Sequence, residues 1–114
     1  MAGGYIMGAV SRKCEAYNVT SNTWRELPQL NEEKCASSLC VLGGRYLYCI
    51  GGFSKADSSG AYLLSTIEML DLWASCPKWV TLAIKLPQQV CDMGSVPISS
   101  SSILLFGGWL KTAS

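Results

Sequence analysis

The stretch "LGGRYLYCIGGF", residues 42–53, contains the clearest local pattern in this 114-residue chain. Between its two glycine pairs the side chains alternate between one set, Tyr46, Tyr48 and Ile50, and another, Leu47 and Cys49. Alternation with a period of two predicts a β-strand, because successive side chains of a strand point to opposite faces. Neither set contains a charge, so we expect both faces of this strand to be covered inside a packed sheet.

The near-neutral charge balance of the chain bears on nucleic acid as a possible partner. Nine basic and eight acidic residues, with no histidine, give a net charge of +1, which offers no electrostatic basis for binding nucleic acid. Only 15% of residues are charged and 49% are hydrophobic, against about 25% charged in typical soluble domains. We therefore expect much of the surface to be covered, by the chain itself or by a partner.

The apolar N-terminal stretch "MAGGYIMGAV" does not predict membrane insertion. It lacks a positively charged leader and is shorter than the about 20 residues needed to cross a bilayer.

The six cysteines do not predict a metal site or a cofactor. They form no CxxC pair, and the chain has no histidine to complete a mixed zinc site. Four of them lie in apolar runs, which is typical of small core residues; a disulfide framework is the alternative. A cytoplasmic, intracellular location is the expectation that accompanies reduced cysteines.

Two sets of landmarks recur along the chain. Glycine pairs stand at 3–4, 43–44, 51–52 and 107–108, and those beginning at 3, 51 and 107 are 48 and 56 residues apart. The second set is an acidic residue, then Asn or Asp three positions later, then a tryptophan. Its two copies are Glu15, Asn18 and Trp24, and Glu68, Asp71 and Trp79.

With these landmarks in order, the chain resembles the kelch repeat family. The stretch "CEAYNVTSNTWRELPQLNEEKCASSLCVLGGRYLYCIGG", residues 14–52, has the acidic residue and Tyr17, the Asn turn, Trp-x-x-Leu-Pro, and two apolar strands around Gly-Gly. Residues 65–108 match more weakly. Met69 and Leu70 stand where the tyrosine should fall, and no glycine pair precedes "SILLFGG".

The resemblance implies an all-β fold built from β-propeller blades of four antiparallel strands. Strands are predicted near 35–42, 45–51, 65–72 and 78–84, which form one complete blade within residues 35–87. Residues 1–34, with strands 14–19 and 23–28, give the outer half of a preceding blade. Residues 88–114, with strands 89–96 and 102–107, give the inner half of a following blade.

About two blades do not close a ring, because propellers have typically four to eight. The chain is therefore predicted to be a partial kelch propeller whose edges need covering. Three arrangements would cover them: a longer parent chain, neighbours in a large assembly, or a ring of copies that complete each other's half-blades.

The resemblance gives the repeat landmarks structural roles. Gly43-Gly44 is expected to form a tight turn with positive φ, and Gly51-Gly52 to stand where a Cβ would crowd adjoining backbone. Each tryptophan is expected to fill the wedge between neighbouring blades. The landmarks are Gly51, Gly52, Glu15, Tyr17, Trp24, Glu68, Asp71, Trp79, Gly107 and Gly108.

The function that the family implies is non-catalytic protein binding, or a scaffold role in a complex. Kelch propellers commonly bind proteins through loops on one face, which here are the predicted loops Phe53 to Leu64 and Asn31 to Lys34. The candidate partner contacts are Lys34, Phe53, Lys55, Asp57 and Tyr62. The alternative is that the longer loop is only a flexible connector.

Two further functions are alternatives to protein binding. An enzyme on a propeller scaffold is disfavoured, because histidine ligands are absent, arginines are few, and Glu32-Glu33 is typical of a solvated surface pair. A substrate adaptor of a ubiquitin ligase is the other alternative, and would require a longer parent chain carrying a BTB domain.

Overall fold

A computed structural model of the protein describes residues 1–3, 5–6, 9–57 and 60–110. These residues form strands and no helix, which confirms the all-β prediction, and no helical membrane span occurs among them. The strands are β1 (Tyr5–Ile6), β2 (Ala9–Val10), β3 (Cys14–Asn18), β4 (Thr23–Leu27), β5 (Ser38–Leu42), β6 (Tyr46–Asp57), β7 (Gly60–Asp71), β8 (Val80–Thr81), β9 (Val90–Cys91), β10 (Gly94–Pro97), β11 (Ile103–Phe106) and β12 (Trp109–Leu110).

The largest sheet is one complete four-stranded blade in the order β5-β6-β7-β8, antiparallel throughout. The strand of the opening stretch, β6, lies in its interior between β5 and β7. On that strand Ile50 and Cys49, which point to opposite faces, are both buried. The pattern of two uncharged faces therefore corresponds to a strand covered on both sides.

Smaller sheets lie on either side of the blade in the chain. β3 pairs with β4 ahead of it, and β10 pairs with β11 after it, both antiparallel. Two short pairs, β1 with β2 and β9 with β12, complete the described strands. The described residues thus form one four-stranded sheet and four two-stranded sheets that do not close into a ring, as expected for a partial propeller.

The prediction of a loop from Phe53 to Leu64 is wrong, because most of this segment is a β-hairpin. β6 continues to Asp57 and β7 begins at Gly60. The extension is held by the pairs Phe53↔Leu63 and Ser54↔Tyr62, followed by a register shift before Asp57↔Gly60. Serine and glycine at its centre suggested a connector, but Leu63 is only 3% exposed and anchors the hairpin to the core.

Three predicted strands also differ from the observed ones. The strand predicted at 89–96 is two strands in different sheets, β9 and β10, because Asp92 between them takes a positive φ of 55°. β5 begins at Ser38 instead of residue 35, because Ala36 takes a positive φ of 55° that interrupts the extended backbone. β8 is limited to Val80–Thr81, which pair with Met69 and Glu68 at the end of the sheet.

The glycine pairs adopt the geometry that the sequence predicts at two decisive positions. Gly43 and Gly44 have φ of 60° and 64° in the turn between β5 and β6, which is closed by the Arg45 N–H donating to Leu42 O at 3.1 Å. Gly51 has φ of 62°, and a Cβ there would lie 2.6 Å from the carbonyl oxygen of Val90. Glycine is required because the next part of the chain packs directly on its backbone.

Two hydrophobic clusters join the successive sheets. The first contains Cys14 from β3, Cys49 from β6, Leu70 from β7, and Leu30 and Trp79 from the connecting segments. The second contains Ile50 from β6, Val90 from β9 and Met93 just before β10. Each cluster draws on two consecutive sheets, so the blades are held together by cores that lie between them.

Candidate functional site

The candidate site is formed by residues 28–37, here called the first link, and the base of the β6–β7 hairpin. The first link connects β4 to β5 and contacts the middle of β7 at Thr66 and Glu68. Leu30 anchors it in the first cluster with 1% exposure. Trp79 Nε1–H donates to the carbonyl oxygen of Pro28 at 2.9 Å, so the ring that fills the wedge also fixes the link.

Asn31 ties the first link to the blade at two points. Its backbone N–H donates to Glu68 Oε1 at 2.7 Å, and its side-chain Nδ2 donates to the carbonyl oxygen of Trp79 at 2.9 Å. The first bond ends on a carboxylate, which makes it a charge-assisted bond of the stronger kind. The link is therefore positioned by strands β7 and β8 rather than left as a mobile connector.

A buried ion pair lies under the first link. Lys34 Nζ is 2.7 Å from Glu68 Oε2 and 3.6 Å from Glu32 Oε1, and the side chains of Lys34 and Glu68 are both 0% exposed. The contact between Lys34 Nζ and Glu68 Oε2 has the distance of an ion pair but not the geometry of a directed hydrogen bond. Thr66 Oγ1–H donates to the same Glu32 oxygen at 2.9 Å. Burying charges in this way is tolerated only because they compensate each other.

The burial of Lys34 corrects its predicted role as an exposed partner contact. The side chain is unavailable to a partner because it reaches inward to neutralise Glu68. Sequence reasoning identified Glu68 only as a repeat landmark and missed the pair. The available signal was an acidic residue between Ile67 and Met69, since a carboxylate in an apolar strand needs a cation nearby.

The hairpin joins the first link at Phe53. Cys35 N–H donates to Phe53 O at 2.9 Å, and Phe53 N–H donates to Cys35 O at 2.8 Å. Ser54 Oγ–H donates to the carbonyl oxygen of Glu33 at 3.1 Å. The half-buried Phe53 is thus next to the link, as the prediction of one shared face requires. The backbones of Lys55, Asp57 and Tyr62 lie in β6 and β7, but their side chains lie outside the described part of the structure.

The exposed chemistry of this face is acidic and polar. Asn31 is exposed, and Glu32 and Glu33 are partly exposed, while the nearby Lys34 is buried. The Glu32-Glu33 pair is therefore not simply a solvated surface pair, because Glu32 takes part in the buried charge network. A partner that binds here would contact carboxylates and a side-chain amide. The backbone that carries them is held by its bonds to Glu68 and Ser54.

The two tryptophan landmarks have different surroundings: Trp24 lies on β4, and Trp79 directly precedes β8. Trp79 is 3% exposed beneath the first link, whereas Trp24 on β4 is 60% exposed. Trp24 instead packs on its cross-strand neighbour Tyr17, with ring centroids 5.0 Å apart and planes tilted by 46°. The expected wedge-filling role is thus seen for Trp79, and for Trp24 it is not seen within the described residues.

A second charge cluster explains the Asp71 landmark. It lies where β6 begins and β7 ends, away from the hairpin. Arg45 Nε and Nη2 donate to the two carboxylate oxygens of Asp71, both at 2.9 Å. These bonds hold the pKa of Asp71 below its ordinary value. The guanidinium also lies 4.8 Å from the ring centre of Tyr46 and 5.1 Å from that of the exposed Trp73.

Four of the six cysteines, Cys14, Cys40, Cys49 and Cys91, are buried and contribute to packing, whereas Cys76 is exposed. All six are free, and burial raises the pKa of Cys14, Cys35, Cys49 and Cys91. For Cys49, which is 0% exposed, burial raises the pKa to about 11, so the thiol stays protonated at neutral pH. The described residues also contain no cluster of three or more side chains able to hold a metal ion.

Comparison with known proteins gives a consistent assignment. The family model described as Kelch motif matches residues 2–31. The chain is 40% identical over 116 aligned positions to Kelch repeat and BTB domain-containing protein 1 of ectromelia virus (strain Moscow), and equally to that of cowpox virus (strain Brighton Red). Each alignment covers 97% of this chain and 19% of the relative.

A cellular relative matches over a shorter stretch. Kelch-like protein 40a of Danio rerio is 37% identical over 59 residues, which is 52% of this chain and 10% of the relative. The chain thus spans about a fifth of the length of the viral relatives that it matches. Kelch repeat proteins are generally non-catalytic interaction modules. The motif match, the aligned relatives and the four-stranded blade agree, and the chain belongs to the kelch repeat family.

Proposed function

We propose that the chain is a non-catalytic protein-binding or scaffold element, and that it binds through the first link and the adjoining hairpin base. The observation that carries the proposal is the fixed link: Asn31 and Glu33 are presented on a backbone held by Glu68 and Ser54. A preorganised polar face loses little conformational entropy on binding, which favours protein recognition. The printed names of the relatives, which combine kelch repeats with other domains, support a partner that is a protein.

The test uses the chain as bait with one changed charge on the face and one elsewhere. Glu33→Lys reverses a partly exposed charge on the link, and Glu26→Lys reverses the charge of a side chain that is 81% exposed on β4. Proteins captured from cell extract are quantified by mass spectrometry. We expect one set to be lost with Glu33→Lys and retained with Glu26→Lys. Equal capture by both variants would show that this face is not the binding site.

A second candidate function is a substrate adaptor of a ubiquitin ligase, acting through a longer parent chain. The names of the viral relatives include a BTB domain, and the family resemblance associates that domain with such adaptors. The parent protein should then co-purify with a ligase, and the Glu33→Lys variant should lose the substrate while keeping the ligase. Loss of both together would contradict a division between substrate-binding propeller and ligase-binding domain.

We also propose a cytoplasmic location. The six free cysteines support it, because a reducing compartment keeps thiols unpaired. Trapping thiols in intact cells with an alkylating reagent should recover the chain with all six modified after denaturation. Recovery of a disulfide-linked chain would contradict this location.

A further inference from the structure

A fixed aromatic cluster lies at the end of the complete blade that is remote from the first link. It is formed by Arg45, Tyr46, Asp71 and Trp73, where β6 begins and β7 ends. Tyr46 and Phe53, which marks the base of the hairpin, lie on the same strand and are separated by about 20 Å. The cluster is therefore distinct from the face that is proposed above to bind a partner, and its role can be tested separately.

Hydrogen bonds within one blade hold this cluster together. Arg45 donates to both carboxylate oxygens of Asp71 at 2.9 Å, and the backbone N–H of Trp73 donates to Asp71 Oδ1 at 3.0 Å. The Leu72 N–H donates to the carbonyl oxygen of Arg45 at 2.9 Å, which ties the two strand ends to each other. Each of these bonds joins residues of the complete blade, so the cluster does not depend on the smaller sheets beside it.

The cluster holds a large aromatic side chain in place without covering it. Trp73 is 67% exposed, and the guanidinium of Arg45 lies over its ring, 5.1 Å from the ring centre. Asp71 takes the Nε and Nη2 donors of Arg45. Within the described part of the chain, no acceptor binds Arg45 Nη1 or the indole N–H of Trp73. An exposed but immobilised tryptophan is suited to anchor an interface, because little side-chain freedom is lost on binding.

Charge and spacing together favour an uncharged ligand with many hydrogen-bond acceptors. Asp71 compensates the charge of Arg45, and the two unused donors require acceptors. The guanidinium lies over Tyr46 at 4.8 Å and over Trp73 at 5.1 Å, so the two ring centres are at most about 10 Å apart. One turn of a polyproline II helix advances about 9 Å and leaves its backbone carbonyls free.

We propose that this cluster is a second docking surface, which binds a proline-rich segment of a partner protein in the polyproline II conformation. Two prolines one turn apart pack on the rings of Tyr46 and Trp73. Carbonyl oxygens of the segment accept from the Trp73 indole N–H and from Arg45 Nη1. Arg45 is also a positioning residue, because it fixes the Trp73 ring while Asp71 holds it.

Two other occupants fit the cluster less well. A second copy of this chain contains four prolines, at positions 28, 77, 87 and 97, and none of them is three residues from another. It therefore has no pair of prolines one helical turn apart. An acidic segment is disfavoured because Asp71 already makes the two-point contact that a carboxylate forms with a guanidinium.

The experiment titrates the whole chain with an uncharged peptide of three Pro-Pro-Ala repeats. One control peptide has glycine in place of every proline, and the other has glutamate in place of every alanine. The readout is the NMR signals of the indole N–H groups, of which the chain has four. The variants are Trp73→Ala, Arg45→Lys and, as the matched control, Trp24→Ala, because Trp24 is 60% exposed on a different sheet. Circular dichroism checks that each variant is folded.

We expect the Pro-Pro-Ala peptide to shift the Trp73 signal and to leave the Trp24 signal unchanged. Trp73→Ala should weaken binding about tenfold or more, as expected for an interface anchor. Arg45→Lys should weaken binding about threefold and shift the Trp73 signal before any peptide is added, because lysine cannot reproduce the two-point contact with Asp71. Trp24→Ala should leave the affinity unchanged.

Several results would overturn the proposal. They are no response of the Trp73 signal to the Pro-Pro-Ala peptide, an equal response to the glycine peptide, a stronger response to the glutamate peptide, or an equal loss of affinity with Trp24→Ala. The titration is then repeated on the longer protein of which the chain is a part. A Trp73 signal that is already shifted there and does not respond to the peptide would also overturn the proposal, because residues of the same protein would then be the occupant.

Discussion

The buried pair of Lys34 and Glu68 allows a prediction that separates single from double substitutions. Both side chains are 0% exposed and their charged atoms are 2.7 Å apart, so removing one leaves the other buried without its main partner. Such a loss costs about 3–5 kcal/mol of unfolding free energy. Replacing both by apolar residues of similar size removes both charges together and should change stability by only about 1 kcal/mol.

The two single substitutions should differ because Glu32 remains in place. After Glu68→Leu, Lys34 still has Glu32 Oε1 at 3.6 Å, so the cost should lie near the lower end of the range. After Lys34→Met, two carboxylates face each other without a cation, and the cost should lie near the upper end. The predicted order of stability is therefore wild type and double variant, then Glu68→Leu, then Lys34→Met.

The assay is urea unfolding followed by tryptophan fluorescence. A loss of about 3 kcal/mol at a slope of about 1–3 kcal/mol per molar urea lowers the midpoint by about 1 M or more. Lys13→Met is the matched control, because Lys13 pairs with Glu15 at 3.4 Å with 47% of its side chain exposed and should cost less than about 1 kcal/mol. The reasoning is refuted if Lys34→Met costs no more than this control, or if the double variant loses the sum of both singles.

Three further outcomes follow from burial and backbone geometry. Between pH 9 and 11 the native Cys49 thiol keeps a proton that the unfolded thiol releases, so stability should fall as pH rises through this window, and Cys49→Val should flatten the fall in urea titrations. Trp79→Phe should cost about 1 kcal/mol through its lost hydrogen bond, whereas Trp24→Phe should cost almost nothing by thermal unfolding. Gly51→Ala should be far more destabilising in the same assay than Gly43→Ala, because only at Gly51 would a Cβ meet backbone, at 2.6 Å.

The strand pattern could be predicted because alternation and glycine pairs are local signals. Gly43-Gly44 needed nothing beyond its own positive φ and the strands beside it, and β6 showed its two uncharged faces in five residues. The hairpin beyond Phe53 could not be predicted in the same way. Its residues are polar at the centre, and part of what holds its base is the bond from Ser54 to Glu33 of the first link, which is 21 residues away in sequence.

The error at Lys34 has a different physical origin. A lysine after two glutamates in a polar segment is typical of an exposed loop, and only contact with a residue 34 positions away reverses that expectation. A long side chain can place its charged end next to a distant opposite charge. The burial of a lysine therefore depends on where the nearest unpaired carboxylate lies. Sequence patterns show that Glu68 occupies an apolar strand, but not which cation reaches it.

Differences between the repeats are informative, because corresponding residues have a similar backbone position but different side-chain contacts. Lys34 and Val90 both precede a cysteine that bridges to the residue after a glycine pair, yet one lies against Glu68 and the other borders an apolar cavity. The backbone is similar at both positions, because a Cβ on Gly3 or Gly51 would meet the carbonyl oxygen of Lys34 or Val90, whereas the side chains differ: Lys34 pairs with Glu68, and Val90 packs with Ile50 and Met93. Blade geometry thus explains how the chain folds, and the residues that break the repeat give each boundary between sheets its own contacts.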